Sequence, residues 1–293
     1  MKTKLLTMLI AVFILGACED PEPEPEEIKG CMDAASLTYN ADATVDDGSC
    51  VYAEDKQRSL FIKYTGTWCW ACGDYGAGIM KEMKSTHGDD IVTIEIHKGS
   101  SDPMNNAIAD AWTAHWQHSA TPSFVANSTL FINTHPVSPG NAEINAHNSK
   151  DPEVLLHNEF TSTGETISGT AYIQAAQDLS ADYNLGVYVL GQGFVYKQIG
   201  KDGSAHPEWD FDETTSTYTA YQHEDILHAE VNSEAFGSPT LTTGSSANTS
   251  QTIEYSFSHD AGWAPEVDIV LIAWKDLGNG QYEFVNIKKY EQE

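Results

Sequence analysis

Two cysteines place the strongest constraint on how this 293-residue chain folds. Cys69 and Cys72 form a C-x-x-C pair soon after Leu60-Phe61-Ile62-Lys63-Tyr64, an apolar run with one lysine that reads as a buried strand. Ile79, Met80 and Met83 follow and mark a helix face. The pair therefore stands in a turn between a strand and a helix. A helix N-terminus presents free N–H groups that stabilise a thiolate, so a cysteine there has a lowered pKa. Cys69 is the expected nucleophile, and Cys72, one turn in and more buried, the cysteine that resolves a mixed disulfide. An inert structural disulfide is the competing reading.

The other three cysteines divide without remainder. Lys2 and Lys4 head an apolar run of eleven residues, 5–15, broken only by Thr7. That length suits a signal-peptide core and falls short of the ~20 residues of a spanning helix. Leu15-Gly16-Ala17-Cys18 resembles the lipobox of bacterial lipoproteins. The resemblance implies cleavage before Cys18 and lipidation of its thiol. One acyl chain binds a membrane only marginally, with K roughly 10⁴ M⁻¹, whereas two or three anchor stably. The run Glu19-Asp20-Pro21-Glu22-Pro23-Glu24-Pro25-Glu26-Glu27 then suits an extended, semi-rigid tether, since proline lacks a donor and the charges repel. Acidic residues just behind the cysteine also resemble the surface-export signal of Bacteroidota lipoproteins. A plain solvated tether is the alternative.

Cys31 and Cys50 are left as a disulfide for an oxidising envelope, closing a ring of about twenty residues worth on the order of 3 kcal/mol. They bracket Gly30-Cys31-Met32-Asp33 through Asp46-Asp47-Gly48-Ser49-Cys50, which resembles a small module of exported Bacteroidota proteins. Its carboxylates suggest calcium, but the EF-hand spacing fails, because a loop begun at Asn40 places Val45 where glycine is required. A stapled spacer is the expectation. Structural zinc on the cysteines is disfavoured by the absence of a second C-x-x-C.

Charge narrows the partners. With 15 basic and 43 acidic side chains, a formal net charge of −28 disfavours nucleic acid and anionic lipid as direct partners. Beyond residue 17 nothing in the sequence is expected to span a membrane.

Downstream of the cysteines, residues 91–96 read as a second strand and 105–118 as a helix with Ile108, Trp112 and Trp116 on one face. Thr121-Pro122-Ser123-Phe124-Val125 then opens a strand about fifty residues after the cysteine pair. This order resembles the thioredoxin fold. The resemblance implies a cis-proline at Pro122 facing the cysteines, with Thr121 and Trp68 helping to dock an extended substrate. Lys63 departs from the pattern, which usually carries a buried acid at that place, and either acts electrostatically on the cysteines or snorkels to the surface. Trp70-Ala71 replaces the Gly-Pro of thioredoxin. Of the eleven histidines, His115 with His118 and His223 with His228 form pairs, but neither belongs to a metal-ligand motif. No metal and no cofactor are expected.

Beyond a loop-like stretch at 135–151, with a short helix possible at 141–149, strand patterns dominate at 166–175, 185–190, 252–257, 267–274 and 282–287. Asp202-Gly203 and Asn279-Gly280 are hairpin signals. The spacing suggests an antiparallel sandwich of immunoglobulin-like type. The runs at 61–72, 188–195 and 221–228 resemble the Bacteroidota outer-membrane lipoproteins named after a 28-kilodalton outer-membrane protein. That likeness implies an α+β chain, a thioredoxin-like α/β domain followed by an antiparallel immunoglobulin-like β-sandwich. The expected divisions are a lipoprotein signal at 1–17, an acidic Pro/Glu tether at 18–30 and a stapled module at 31–52. A thioredoxin-like domain follows at 53–150 and a sandwich at 151–293. The expected function is thiol–disulfide exchange with protein or peptide partners at the outer membrane, on its periplasmic or surface side. The alternative is a non-catalytic binding lipoprotein that keeps the fold as scaffold.

Overall fold

A computed structural model describes residues 26–117, 120–131, 135–259 and 264–292. The expected signal segment, Cys18, the tether up to Pro25 and His118 lie outside the described residues. The chain is mostly β, with several sheets and a smaller helical share. Among the described residues no helix is long and apolar enough to cross a membrane.

The first described unit is the small module. Strands β1 (Lys29–Gly30) and β2 (Val45–Asp46) pair in parallel, and a disulfide joins Cys31 to Cys50. Its acids are taken up locally. Asp46 and Asp47 accept the N–H groups of Gly48 and Ser49, while Asp33 accepts from Ala35 N and from the Tyr52 hydroxyl at 2.7 Å. The module is also docked, since Gln174 Nε2 donates to the Ala35 carbonyl and Ser250 Oγ to that of Leu37.

Next come β3 (Ser59–Thr65), a π-helical turn (Cys72–Gly76) running into α1 (Ala77–His87), β4 (Ile91–His97) and α2 (Ala107–His115). Strands β5 (Ser123–Ala126) and β6 (Thr129–Phe131) and helix α3 (Val137–Asn148) complete this part. β3 and β4 are parallel, and β5 and β6 add to the β3 edge in antiparallel sense. Helix α2 begins later than the apolar spacing suggests because Asn106 caps it, its side chain accepting from Ile108 N and Ala109 N. Helix α3 is longer than expected, with Pro139 in its first turn, where a missing N–H leaves no intrahelical bond unmade.

The second half contributes β7 (Val154–Thr163), β8 (Thr166–Ala175), β9 (Asp182–Gln192), β10 (Phe194–Ile199), β11 (Phe211–Asp212) and β12 (Thr217–His223). It ends with β13 (Ile226–Glu230), β14 (Ser238–Leu241), β15 (Ser250–Ser258), β16 (Glu266–Gly278) and β17 (Gln281–Tyr290). These strands do not keep to a separate pair of sheets, because several of them extend the sheet begun by β3 and β4. One sheet runs β17-β16-β9-β13-β4-β3-β5-β6, with β14 also on β9. The two halves join where β13 lies parallel to β4, Ile226 opposite Glu95, and Glu95 N donates to the Asp225 carbonyl at 2.8 Å.

The physical reason is visible in β9 and β16. Leu185, Val187 and Val189 face one way, and Tyr188 and Leu190 the other; in β16, Ile269, Leu271 and Ala273 oppose Val270, Ile272 and Trp274. A strand apolar on both faces needs cover on both. The three-stranded sheet β15-β8-β7 covers one face, packing Ile167, Ala171 and Ile173 against it. Helix α2 covers the other, where Trp112 meets Tyr188 and Trp274 edge to face at 5.3 and 5.4 Å. The remaining three strands, β10-β12-β11, form a small sheet of their own beside the cysteine turn.

Candidate functional site

The site begins with the turn that follows β3. Cys69 and Cys72 are bonded to each other and almost wholly buried, at 7% and 1% exposure. The Cys69 carbonyl accepts from Cys72 N at 3.1 Å and Gly73 N at 3.3 Å, which starts the helix. Trp68 and Trp70 flank the first cysteine and are about half exposed, while Tyr75 is exposed one turn on. The Trp68 indole lies flat against the chain. Its Nε1 donates to the Lys98 carbonyl at 3.2 Å, and a Cβ on Gly66 would meet the ring at 2.6 Å. The Thr121–Pro122 peptide is cis, and a Cβ on Gly76 would stand 3.3 Å from Pro122 Cβ, so this proline packs against the helix that carries Cys72. Thr121 is half-buried just ahead of it.

The small sheet β10-β12-β11 and its loops hold the turn from outside. Gln198 Nε2 donates to the carbonyls of Cys69 at 2.9 Å and Gly66 at 3.2 Å, and Ile199 N donates to Thr67 O at 2.8 Å. His206 Nε2 donates to the Gly73 carbonyl at 2.7 Å. Asp74 accepts from Lys201 N at 2.8 Å and from the Tyr218 hydroxyl at 3.3 Å. Burial, followed by Asp74, pushes the Tyr218 phenol up to about 12. This contact leaves no room for a side chain at residue 73. A Cβ there would come within 2.8 Å of Gln198 Cγ and of the Ile199 carbonyl.

Lys63, left open by the sequence, is buried and paired. Its Nζ lies 2.5 Å from Glu95 Oε1, its opposite number on β4, and its Cδ lies 3.4 Å from where a Gly76 Cβ would be. It therefore does not reach the surface, and its partner is an acid on the neighbouring strand. Further along the same face, His97 Nδ1 lies 3.1 Å from Asp102 Oδ1, and Asp102 accepts in addition from Thr67 N and Met104 N. Burial alone would raise the Asp102 carboxyl, but His97 and the two N–H groups outweigh it and the net shift is downward. His223, at the end of β12, sits with its ring 5.2 Å from that of His97. Burial, with His97 and Lys63 adding to it, holds its imidazole well below the usual range.

Sequence reasoning named the cysteines, Trp68 and Thr121-Pro122 but missed the groups around them. Gln198, Asp74 and His206 gave no signal, because their partners lie far away in sequence. His97 lay one residue past the strand as read, and the His223–His228 pair is not one: His223 faces His97 instead. Beside α1 a cavity of about 730 Å³ opens, lined by Asp74, Lys81, Lys84, Glu95, His206 and Tyr221 among others.

The fold and the site together define a mixed α+β protein with a bonded cysteine pair at a strand–helix junction, covered by a small accessory sheet. Among solved structures this chain is similar to HBP35 of Porphyromonas gingivalis, with a TM-score of 0.61 and 13% identity over 82% of this chain and 76% of that one. A match to protein AGR_C_4864 of Agrobacterium tumefaciens has a TM-score of 0.48 and 10% identity, over 82% of this chain and 96% of that one. The first likeness is one of fold. No protein-family model matches the chain, and no curated protein matches it.

Proposed function

We propose that this chain is a thioredoxin-like thiol–disulfide exchange protein of the bacterial envelope, anchored to the outer membrane by lipid on Cys18. One observation carries the reading: Cys69 and Cys72 are bonded at the start of a helix against which the cis Thr121–Pro122 segment packs. The strand order β4-β3-β5-β6, with one parallel pair and two antiparallel additions, supports it. In the reduced protein the Cys69 thiolate attacks a disulfide of a protein or peptide partner and releases one of its sulfurs as a thiolate. The Cys72 thiolate then attacks Cys69, freeing the second partner thiol and restoring Cys69–Cys72. Trp68 and Trp70 offer an exposed aromatic surface for that partner, and Thr121 the neighbouring backbone.

Trapping tests this. A Cys72→Ser variant is expected to accumulate mixed disulfides through Cys69 with a model disulfide peptide. Absence of any adduct, together with no exchange by the reduced wild type, removes the proposal.

A second reading, a binding protein that keeps the fold as scaffold, is favoured by the clasp of Gln198, Ile199 and His206 on the cysteine turn. A midpoint potential below about −300 mV, in the range of structural disulfides, selects this reading, and a value near those of known exchangers selects the first.

A further inference from the structure

We propose that Glu95, His97 and His223 bind one divalent transition-metal ion, of which zinc is the representative, at a site separate from the cysteine pair. The carboxylate oxygen and one ring nitrogen of each histidine lie within 4.8 Å of one another. Ligands around a tetrahedral zinc at ~2.0–2.1 Å stand roughly 3.4 Å apart, so side-chain rotation of about an ångström closes the set. Two imidazoles and a carboxylate are a donor set for zinc or iron rather than for calcium or magnesium.

The second observation is the state of the ring nitrogens. His97 and His223 are each 1% exposed, and Nε2 of both is buried without a hydrogen-bond partner. Buried polar atoms are nearly always satisfied, so two orphans facing one point call for a ligand. Their other nitrogens are engaged. Asp102 accepts from His97 Nδ1, and the His223 ring bonds to the Tyr196 backbone. Metal-bound histidines are held in this way, by a carboxylate or a carbonyl on the far nitrogen, which leaves Nε2 with its lone pair free. Lys63 bonds to Oε1 of Glu95, and Oε2 is left for the ion.

Charge and access agree with this. Glu95 and Asp102 against Lys63 leave one net negative charge when both rings are neutral, which suits a dication. Glu95 borders the cavity beside α1, whose wall also carries Asp74, Glu208 and Glu224 against Lys81 and Lys84, so acids outnumber bases along a cation's approach. Three protein ligands leave a fourth position for water or a small ligand.

The test uses the full-length oxidised protein, stripped with chelator, so that no cysteine thiolate competes. Titration with Zn²⁺ by calorimetry is expected to give one ion per chain, and Co²⁺ to give the visible absorption of a low-symmetry nitrogen–oxygen site. His97→Ala and His223→Ala should each weaken binding at least 100-fold, and Asp102→Asn by about 10–100-fold. His115→Ala, on a different element, should leave it unchanged. Should His223→Ala not fold, His223→Gln fills the volume and should lose binding to the same extent. No stoichiometric uptake by the wild type, or uptake of equal affinity in both histidine variants, overturns the site.

Discussion

The two disulfides sit in opposite settings. Cys31–Cys50 spans 19 positions in a module that is mostly surface, where few side chains besides Ser36 and Leu37 are buried with Cys31. Cys69–Cys72 spans 3 positions and lies beneath a sheet from the other half of the chain. A long ring removes much entropy from the unfolded chain, and a short one removes less. The first bond therefore stands in for a core that a segment so small lacks. The second contributes less to stability, and its turn is held by hydrogen bonds to backbone carbonyls that do not involve the sulfurs. One bond thus replaces a missing core, whereas the other lies within a core that other contacts already hold.

The largest effect is expected under the second disulfide. Lys63→Met strands the Glu95 carboxylate in a buried site and should lower unfolding free energy by about 3–5 kcal/mol in urea titration. Adding Glu95→Gln should restore a large part. If Lys63→Met alone is neutral, the buried pair does not support the cysteine turn, and that half of the comparison fails.

Next comes the staple itself. Cys31→Ser with Cys50→Ser should cost about 3 kcal/mol of module stability, and Cys69→Ser with Cys72→Ser about 2 kcal/mol of the body. Limited proteolysis should cut the first variant within residues 26–52 and leave the second resistant. Equal resistance of both would erase the distinction.

Acid should separate the same two regions. His147, on α3, is half-buried beside the Val285 carbonyl, and that burial followed by Lys150 holds its pKa down to about 4. His115, His157, His223 and His228 are shifted the same way, burial being the first cause in each. A histidine lowered in the folded state contributes stability that is complete above its unfolded value of about 6.5 and is lost as pH falls through that window. His147 alone should cost roughly 2 kcal/mol between pH 6.5 and 4, after allowance for its partial exposure. Residues 26–52 contain no histidine. Thermal unfolding followed at pH 7 and pH 4.5 should therefore show the body weakening first, and His147→Gln should flatten the slope.

The smallest effect is the most specific to exchange. Gln198→Ala removes the donor to the Cys69 and Gly66 carbonyls and should cost about 1 kcal/mol. It should speed reduction of Cys69–Cys72 several-fold by dithiothreitol while leaving Cys31–Cys50 untouched. An unchanged reduction rate would mean that the clasp does not govern access.

Much of the local structure was readable from residue order. The strands at 91–96, 166–175 and 252–257 and the helix around Trp112 arise from periodicity and β-branched runs, which neighbours in sequence set by themselves. The continuous apolar runs of β9 and β16 also carried a signal, since a strand without alternation is covered on both faces.

What the sequence determined by itself was the pairing logic of its cysteines, the strand–turn–helix setting of Cys69 and Cys72, and the acidity of the whole. Those depend on spacing and composition, which act over a few residues or over none. Tertiary structure alone decided that both halves share one sheet, that Glu95 neutralises Lys63, that Gln198 and His206 hold the cysteine turn, and that His97 meets His223. Each is a contact between side chains or backbone groups brought together only when separate strands align, and the register that aligns them is fixed by burial of both faces of the sheet.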